Sequence, residues 1–208
     1  MVRVDVWSDI VCPWCYLGHA HLQAAATATG IPVELHFHAY QLAPELQESR
    51  PAHEHVVAKY GDRAMVDGMR ARLLEAGAAV GIRFDFDAAI AANTFDAHRV
   101  HQAASEAGIG GAVMGQFLVA MHEQGADMSD HPTLVRLASE AGMDAAAVEA
   151  VLASDTATDA VLADLAAAHR MGISGVPFWV FNQQFALSGA QPVAVFEEAL
   201  RKASDADS

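Results

Sequence analysis

The first 40 residues alternate between strand-like and helix-like patterns. Residues 2–8 alternate valine with polar or aromatic side chains, and residues 33–40 alternate in a similar way, so both stretches predict β-strands. Between them, residues 14–29 are rich in leucine and alanine and stop at Gly30, which is typical of a helix and its C-terminal end. A strand, a helix and a second strand in this order predict a βαβ unit with parallel, right-handed pairing.

The middle of the chain has helical spacing almost throughout. Apolar residues at this spacing, separated by glycines and capping residues, predict helices at 57–80, 88–107, 113–124, 132–142 and 144–153. A brief extended piece is expected at 82–86, and no strand of useful length is expected between residues 87 and 171. The pattern therefore predicts a long helical region in the centre of the sequence.

The last third returns to mixed structure. Its pattern predicts a helix at 158–171, two strands at 178–181 and 185–187 joined by a tight turn, and a closing helix at 193–203. The N-terminal βαβ and the C-terminal ββα units are the two halves of a thioredoxin-like sheet. We therefore predict an α/β fold with a thioredoxin-like domain at 1–43 and 155–208 and an inserted all-helical domain at 44–154.

Composition and charge exclude several classes of function. The 208 residues carry a formal net charge of −14, so the surface repels the phosphates of nucleic acids and of anionic membranes. Hydrophobic residues make up 53% of the chain, which excludes extensive disorder. The N-terminus lacks the pattern of a signal peptide, and no stretch reaches the ~20 apolar residues of a membrane span. We therefore expect a soluble, cytoplasmic protein.

The candidate chemistry lies in the two cysteines, Cys12 and Cys15, which Pro13 and Trp14 separate. Two cysteines cannot complete a four-cysteine zinc site, and a structural disulfide is not expected in a reducing cytosol. The pair lies where the first strand meets the first helix, so the unpaired N–H groups and the dipole of the helix favour a thiolate at Cys12. Cys15 lies nearly one turn later on the same face, from which it can attack a mixed disulfide formed at Cys12. The motif therefore predicts thiol–disulfide exchange.

Histidines and aromatic residues offer further candidates. His36 and His38 share one face of a predicted strand, as metal ligands can, but no carboxylate cluster accompanies them at ligand spacing. We therefore expect no metal site and interpret the histidines as half-buried or solvated side chains. Four aromatic residues are expected around the motif, where they would form an apolar groove with Trp14 exposed: Trp7, Trp14, Phe178 and Trp179. The alternative is that they belong to the ordinary core, especially Trp7 and Trp179.

Residues 93–99, which read NTFDAHR, are unusually polar for the interior of a predicted helix. Asn93, Asp96 and Arg99 recur at i, i+3 and i+6, and they have two interpretations. In the first, they form a solvated helix face with local pairs. In the second, this face lines the groove beside Cys12, where Asn93 or Arg99 contacts the backbone of a substrate or a carboxylate of glutathione.

Four segments together carry a family resemblance: CPWCYLG after the first strand, NTFDAHR, SGVPFWVFN and SGAQ. With them the chain resembles the DsbA-like thioredoxin superfamily, and within it the FrnE-type cytoplasmic branch, over essentially its whole length. The resemblance implies that Cys12 is the exposed nucleophile and Cys15 the resolving thiol. It also implies that Pro177 is a cis-proline facing the cysteines and that the backbone of Val176 pairs with an extended substrate.

The resemblance implies a protein thiol–disulfide oxidoreductase whose partners are protein or peptide thiols and disulfides. No cofactor is needed beyond the Cys12–Cys15 pair, and glutathione is a candidate reductant. Periplasmic relatives commonly carry a histidine where this chain has Trp14, so we expect a less oxidising pair. Two alternatives remain: a glutathione-dependent isomerase or transferase of the 2-hydroxychromene-2-carboxylate isomerase or kappa type, whose members carry serine at the position of Cys12, and a redox-switched chaperone.

Overall fold

The computed structural model describes residues 1–206. Strands and helices follow one another along the chain as follows: β1 (Val2–Ser8), α1 (Pro13–Thr29), β2 (Val33–Ala39), β3 (Arg50–Pro51), α2 (Ala52–Tyr60), α3 (Arg63–Ala79), β4 (Ile90–Ala91), α4 (Phe95–Glu106), α5 (Gly110–Gln124), α6 (His131–Glu140), α7 (Ala145–Leu152), α8 (Thr158–Arg170), β5 (Phe178–Phe181), β6 (Phe185–Ser188) and α9 (Val193–Asp205).

The main sheet has the strand order β2-β1-β5-β6. β1 and β2 are parallel, with Val2 opposite Val33, which confirms the predicted βαβ unit. β5 runs antiparallel to β1, and β6 returns antiparallel to β5. Residues 182–184 connect these two strands. Asn182 and Gln183 have left-handed φ angles of 46° and 57°, and the backbone N–H of Gln184 donates to the Phe181 carbonyl oxygen at 2.9 Å, which closes a tight turn. The sheet is thus the predicted α/β arrangement of a βαβ and a ββα unit.

The alternation of side chains along β1 determines which helix covers which face of the sheet. Val2, Val4 and Val6 point to the face covered by α1 and α9, where they form one buried cluster with Phe196 and Leu200. Trp7 belongs to a second cluster with Ala168 of α8 and Ile173. The sheet therefore lies between helices, as in other α/β proteins.

The helical region packs against the start of α1 through the largest hydrophobic cluster. Ile10 and Leu17 share this cluster with Phe117 and Met121 of α5, and all four are at most 1% exposed. One continuous core therefore crosses the predicted boundary, and the division into two domains at 43/44 and 154/155 stays a prediction.

The expectation of an all-helical insertion is wrong in one detail, because β3 pairs antiparallel with β4 inside it. The predicted helix at 88–107 accordingly begins only at Phe95. Its first residues turn instead, because the Asp85 carboxylate accepts hydrogen bonds from the backbone N–H groups of Asp87 and Ala88. The expected extended piece at 82–86 carries no strand in the structure.

The predicted helix at 57–80 is two helices, α2 and α3. Gly61 ends α2 with a φ angle of 72°, the left-handed conformation that glycine adopts most readily at a helix C-terminus. Asp62 then caps α3 by accepting a hydrogen bond from the backbone N–H of Met65. Gly61 therefore ends one helix and Asp62 begins the next. The helical spacing of apolar residues continues across both helices, so the spacing alone does not show the break.

A partly buried ion-pair network lies on the face of the sheet that α8 covers. His38 stands between Asp164, at 2.7 Å, and Asp5, at 3.0 Å, and its ring stacks on Trp7 with the centroids 4.5 Å apart. Burial opposes the charged form of His38, but the hydrogen bonds with Asp164 and Asp5 outweigh it and raise the pKa of His38 above 6.5. Burial acts against ionisation of Asp5 as well, yet the hydrogen bonds from Arg3 and His38 lower the pKa of that carboxyl.

We expect His38→Gln to reduce the free energy of unfolding by roughly 1–3 kcal/mol at pH 6, because it removes the cation between two carboxylates. Since the pKa of His38 is raised in the folded state, its contribution is fully present below pH 6.5 and is lost as the pH rises through the folded-state value. The difference between wild type and His38→Gln in urea unfolding should therefore shrink from pH 6 to pH 9. A difference that grows over this range would contradict the network.

Candidate active site

Cys12 occupies the N-cap position of α1, in an extended conformation with a φ angle of −88° and a ψ angle of 111°. Its carbonyl oxygen accepts hydrogen bonds from the backbone N–H groups of Cys15, at 3.0 Å, and Tyr16, at 3.3 Å. Pro13 follows in the first turn, where a proline costs no hydrogen bond. The thiol is therefore at the positive end of the helix, where an anion is stabilised.

The loop before β5 lies directly against Cys12. The Val176–Pro177 peptide bond is cis, which confirms the expectation for Pro177. The Sγ atom of Cys12 lies 3.8 Å from the carbonyl oxygen of Val176. The structure thus brings together four of the predicted site residues, Cys12, Pro13, Val176 and Pro177, with Cys15 one turn further along α1.

Cys15 lies inside the protein, with a relative exposure of 2%. Burial, followed by the hydrogen bond and charge interaction with Cys12, raises the pKa of the Cys15 thiol well above its usual value. The Ser8 side chain and the Asp9 backbone act in the opposite direction and lower this pKa. Both cysteines are free thiols in this structure. The two thiols are therefore chemically unequal, and Cys15 is held in its protonated form.

The loop between β1 and α1 is anchored by a buried aspartate that the sequence analysis missed. Asp9 is 0% exposed, and its carboxylate accepts hydrogen bonds from the Thr94 hydroxyl, at 2.8 Å, and the backbone N–H of Leu42, at 2.7 Å. His98 Nε2 lies 3.4 Å from the same carboxylate. The Asp9 carbonyl oxygen accepts a hydrogen bond from the backbone N–H of Cys12. The available signal was an acidic residue directly after the predicted first strand and three positions before Cys12.

A second anchor of this loop comes from α5. His122 Nε2 lies 2.9 Å from the carbonyl oxygen of Ile10, so the ring donates a hydrogen bond to the loop. The ring stacks on Tyr16 with the centroids 5.5 Å apart. Burial lowers the pKa of His122 to about 4, so the imidazole is neutral at physiological pH. Tyr16 in turn donates to Glu123 at 2.7 Å, which fixes its ring beside the first turn of α1.

Two expectations about exposure are wrong. Cys12 is 4% exposed, because the Val176 loop and the start of α1 enclose it. Trp14 is half-buried and packs against the largest hydrophobic cluster. The expected single aromatic groove is also not formed, because Trp179 and Trp7 belong to two other clusters on opposite faces of the sheet.

Asn93 precedes α4 instead of lying within a helix. Its Oδ1 atom accepts hydrogen bonds from Gln41 Nε2 and from the backbone N–H of Phe95. Its Nδ2 atom donates to the carbonyl oxygens of Pro44 and Leu46. The amide therefore joins the loop after β2 to the start of α4, and these contacts give no support to a role in substrate binding.

Arg99 is buried within α4, with a relative exposure of 5%. Its guanidinium donates to the carbonyl oxygens of Val151, Ser154 and Thr156 at the C-terminal end of α7 and beyond, and it pairs with Asp96 at 2.7 Å. A cation at a helix C-terminus stabilises the unpaired carbonyl groups there. The i, i+3 pair exists, with Asp96 31% exposed and Arg99 buried and bound to the end of α7. Arg99 is therefore not part of a solvated face, and the proposed contact with glutathione gains no support.

Within residues 1–206, no group of three or more His, Cys, Asp or Glu side chains is placed to hold a metal ion. His36 pairs with Glu34, whereas His38 belongs to the network with Asp5 and Asp164. Among the helices of the described chain, none combines the length and the apolar character needed to cross a membrane.

The fold and the site together define a thioredoxin-like protein with two cysteines at the start of its first helix and a cis-proline beside them. The DSBA-like thioredoxin domain family matches residues 3–201. The chain therefore belongs to the DsbA-like thioredoxin family, as the sequence motifs predicted.

Solved structures agree with this assignment. A probable DsbA oxidoreductase from Streptomyces coelicolor is 34% identical, with 99% of this chain and 91% of that chain covered and a TM-score of 0.89. A 2-hydroxychromene-2-carboxylate isomerase is 19% identical, with coverage of 99% and 98% and a TM-score of 0.72. The cytosolic disulfide reductase DsbM from Pseudomonas aeruginosa is 19% identical, with coverage of 96% and 99% and a TM-score of 0.65. A search of curated proteins finds no match.

Close packing between α1 and the cis-proline loop leads to a prediction for Gly18. A Cβ atom at this position would lie 2.8 Å from Trp179 Cζ2 and 3.2 Å from Pro177 Cγ. Gly18→Ala should therefore lower the free energy of unfolding by roughly 1–3 kcal/mol, as overpacking does.

The matched control is Gly68→Ala on the exposed side of α3, where a Cβ atom would meet no heavy atom of the described chain within 4 Å. Alanine should stabilise that helix by about 0.5–1 kcal/mol. Urea denaturation measures both variants. Equal effects at the two positions would show that α1 does not pack closely on the Pro177 loop.

Proposed function

We propose that this protein catalyses thiol–disulfide exchange on protein or peptide substrates through Cys12 and Cys15. The thiolate of Cys12 attacks one sulfur of a substrate disulfide, the S–S bond breaks, and the released substrate sulfur takes up a proton. Cys15 then loses its proton and attacks the Sγ atom of Cys12. The second substrate thiol leaves, and the Cys12–Cys15 disulfide remains. The substrate has gained two electrons and two protons. Both electrons and one proton come from the enzyme, and the second proton comes from solvent, because Cys12 reacts as a thiolate.

The observation that carries the proposal is the unequal environment of the two thiols. Cys12 lies at the N-terminus of α1, where the helix favours an anion and the thiolate is the reactive species. Cys15 lies one turn further on, 2% exposed, with the pKa of its thiol raised mainly by burial. The two steps require one thiol that attacks the substrate first and a second that stays protonated until the mixed disulfide has formed. Cys12 and Cys15 fit these two roles.

The substrate would bind along the Val176–Pro177 loop. The Val176 carbonyl oxygen lies 3.8 Å from Cys12 Sγ, so a backbone segment that pairs with Val176 lies within reach of the reacting sulfur. Pro13 and the half-buried Trp14 border the same position from α1. Because Cys12 is only 4% exposed, we propose that substrate enters as an extended segment that displaces part of this covering.

We propose that the exchange runs in the direction of substrate reduction in the cytoplasm, with glutathione as the reductant. Two glutathione thiols reduce the Cys12–Cys15 disulfide and leave as glutathione disulfide, which returns the enzyme to its dithiol state. A reducing compartment favours this direction. The cytosolic disulfide reductase DsbM, which shares the fold, has a solved structure with glutathione and supports the choice of reductant.

The test is insulin-disulfide reduction by wild type, Cys12→Ser and Cys15→Ser, with dithiothreitol and then glutathione as reductant. We expect wild type to be active and Cys12→Ser to fall to the uncatalysed rate, because it lacks the attacking thiolate. Cys15→Ser should accumulate a mixed disulfide at Cys12, visible by mass spectrometry, because the resolving thiol is missing.

Equal behaviour of the three proteins would refute dithiol exchange. Turnover of a small molecule that needs glutathione but not Cys15 would instead favour the isomerase or transferase alternative. Suppression of aggregation that survives loss of both thiols would favour a chaperone.

A further inference from the structure

The loop that carries Cys12 is held by two side chains of the helical region. Thr94, just before α4, donates from its hydroxyl to the Asp9 carboxylate at 2.8 Å. His122, on α5, donates to the Ile10 carbonyl oxygen at 2.9 Å. The two adjacent residues Asp9 and Ile10 thus each accept a hydrogen bond from a side chain of the helical region. We call this pair of contacts the loop clamp.

Every group in the loop clamp is buried. Asp9 and Ile10 are 0% exposed, Thr94 is 1% exposed and His122 is 4% exposed. Without His122 the buried Ile10 carbonyl oxygen would lose its hydrogen bond. Without the Thr94 hydroxyl the Asp9 carboxylate would keep only the Leu42 N–H and the longer contact with His98, and burial prevents water from replacing either loss. Burial also keeps the His122 imidazole neutral, with a pKa of about 4, so its donor N–H is not altered by titration at physiological pH. The two contacts therefore restrain the loop firmly.

The clamp has a direct connection to the reactive thiol. The Asp9 carbonyl oxygen accepts a hydrogen bond from the backbone N–H of Cys12 at 3.1 Å. A displacement of Asp9 would therefore stretch this hydrogen bond or move Cys12 with it. Burial raises the pKa of the Cys15 thiol, and the backbone of Asp9 acts in the opposite direction, so both thiols depend on where Asp9 lies.

We propose that Thr94 and His122 are positioning residues that set the reduction equilibrium of the Cys12–Cys15 pair by holding residues 9 and 10 against the start of α1. The inference rests on the proposed function. The helix N-terminus stabilises the Cys12 thiolate of the reduced form only while the sulfur stays at its end. A loosened loop loses this stabilisation in the reduced form and favours the disulfide. In this proposal the helical region affects the reduction equilibrium of the Cys12–Cys15 pair and not only the packing around it.

Three substitutions separate positioning from packing. Thr94→Val keeps the shape of the side chain and removes the hydroxyl, whereas Thr94→Ser keeps the hydroxyl. His122→Phe keeps an aromatic ring to stack on Tyr16 and removes the N–H donor. The matched control is His101→Phe. His101 is also buried, at 3% exposure, and neutral, with its pKa lowered to about 3 by burial, but its ring faces Phe37 and Ser105.

The experiment equilibrates each folded protein with defined ratios of reduced and oxidised glutathione and quantifies the dithiol form by thiol alkylation and mass spectrometry. We expect Thr94→Val and His122→Phe to shift the equilibrium about tenfold toward the disulfide, which is about 30 mV for a two-electron pair. Thr94→Ser and His101→Phe should stay within about twofold of wild type. Urea denaturation of the same samples records stability separately.

A purely structural role would lower the stability of Thr94→Val and His122→Phe without moving the equilibrium, and that result would overturn the inference while leaving the proposed function in place. A shift of the reduction equilibrium in only one of these two variants would show that the residue changed in the other variant does not position the loop. A wild-type protein that forms no Cys12–Cys15 disulfide in any glutathione ratio would overturn the proposed function itself.

Discussion

The chemistry of this protein depends on the short turn between β1 and α1 and on the hydrogen bonds that hold it. This turn follows the end of the central strand β1, leads into α1 and places Cys12 at the N-terminus of that helix. Asp9 makes this possible, because its buried carboxylate and its carbonyl oxygen join the turn to the loop after β2, to Thr94 and to Cys12 itself. The cis-proline loop closes the other side, with the Val176 carbonyl oxygen against the Cys12 sulfur.

The same turn gives the two thiols their different properties. Cys12 lies at the N-terminal end of α1, whereas burial and the interaction with Cys12 raise the pKa of the Cys15 thiol. The helical region contributes to this asymmetry because its largest hydrophobic cluster includes Ile10 and Leu17, on either side of the motif.

Local pattern predicted most of the fold, because strand alternation, helix periodicity and capping act over a few residues. β1 and β5 were predicted to the residue, and the Cys12–Cys15 pair was identified from its spacing and position. The errors came from polar contacts that hydrophobic periodicity does not reveal, one of them local and the other long-range. The helix expected from residue 88 begins at Phe95 because Asp85 turns the chain. Arg99 was a candidate for binding substrate, but it stabilises the end of α7, a partner more than fifty residues away.

The central claim is that Cys12 and Cys15 differ in reactivity because of where the turn places them. The most direct test is brief alkylation of the reduced protein at pH 7 with less than one equivalent of iodoacetamide, followed by mass spectrometry of the peptides. Since alkylation requires the thiolate, we predict that the label is found on Cys12 and that Cys15 stays unmodified. Label on Cys15, or an equal distribution between the two cysteines, would contradict the account.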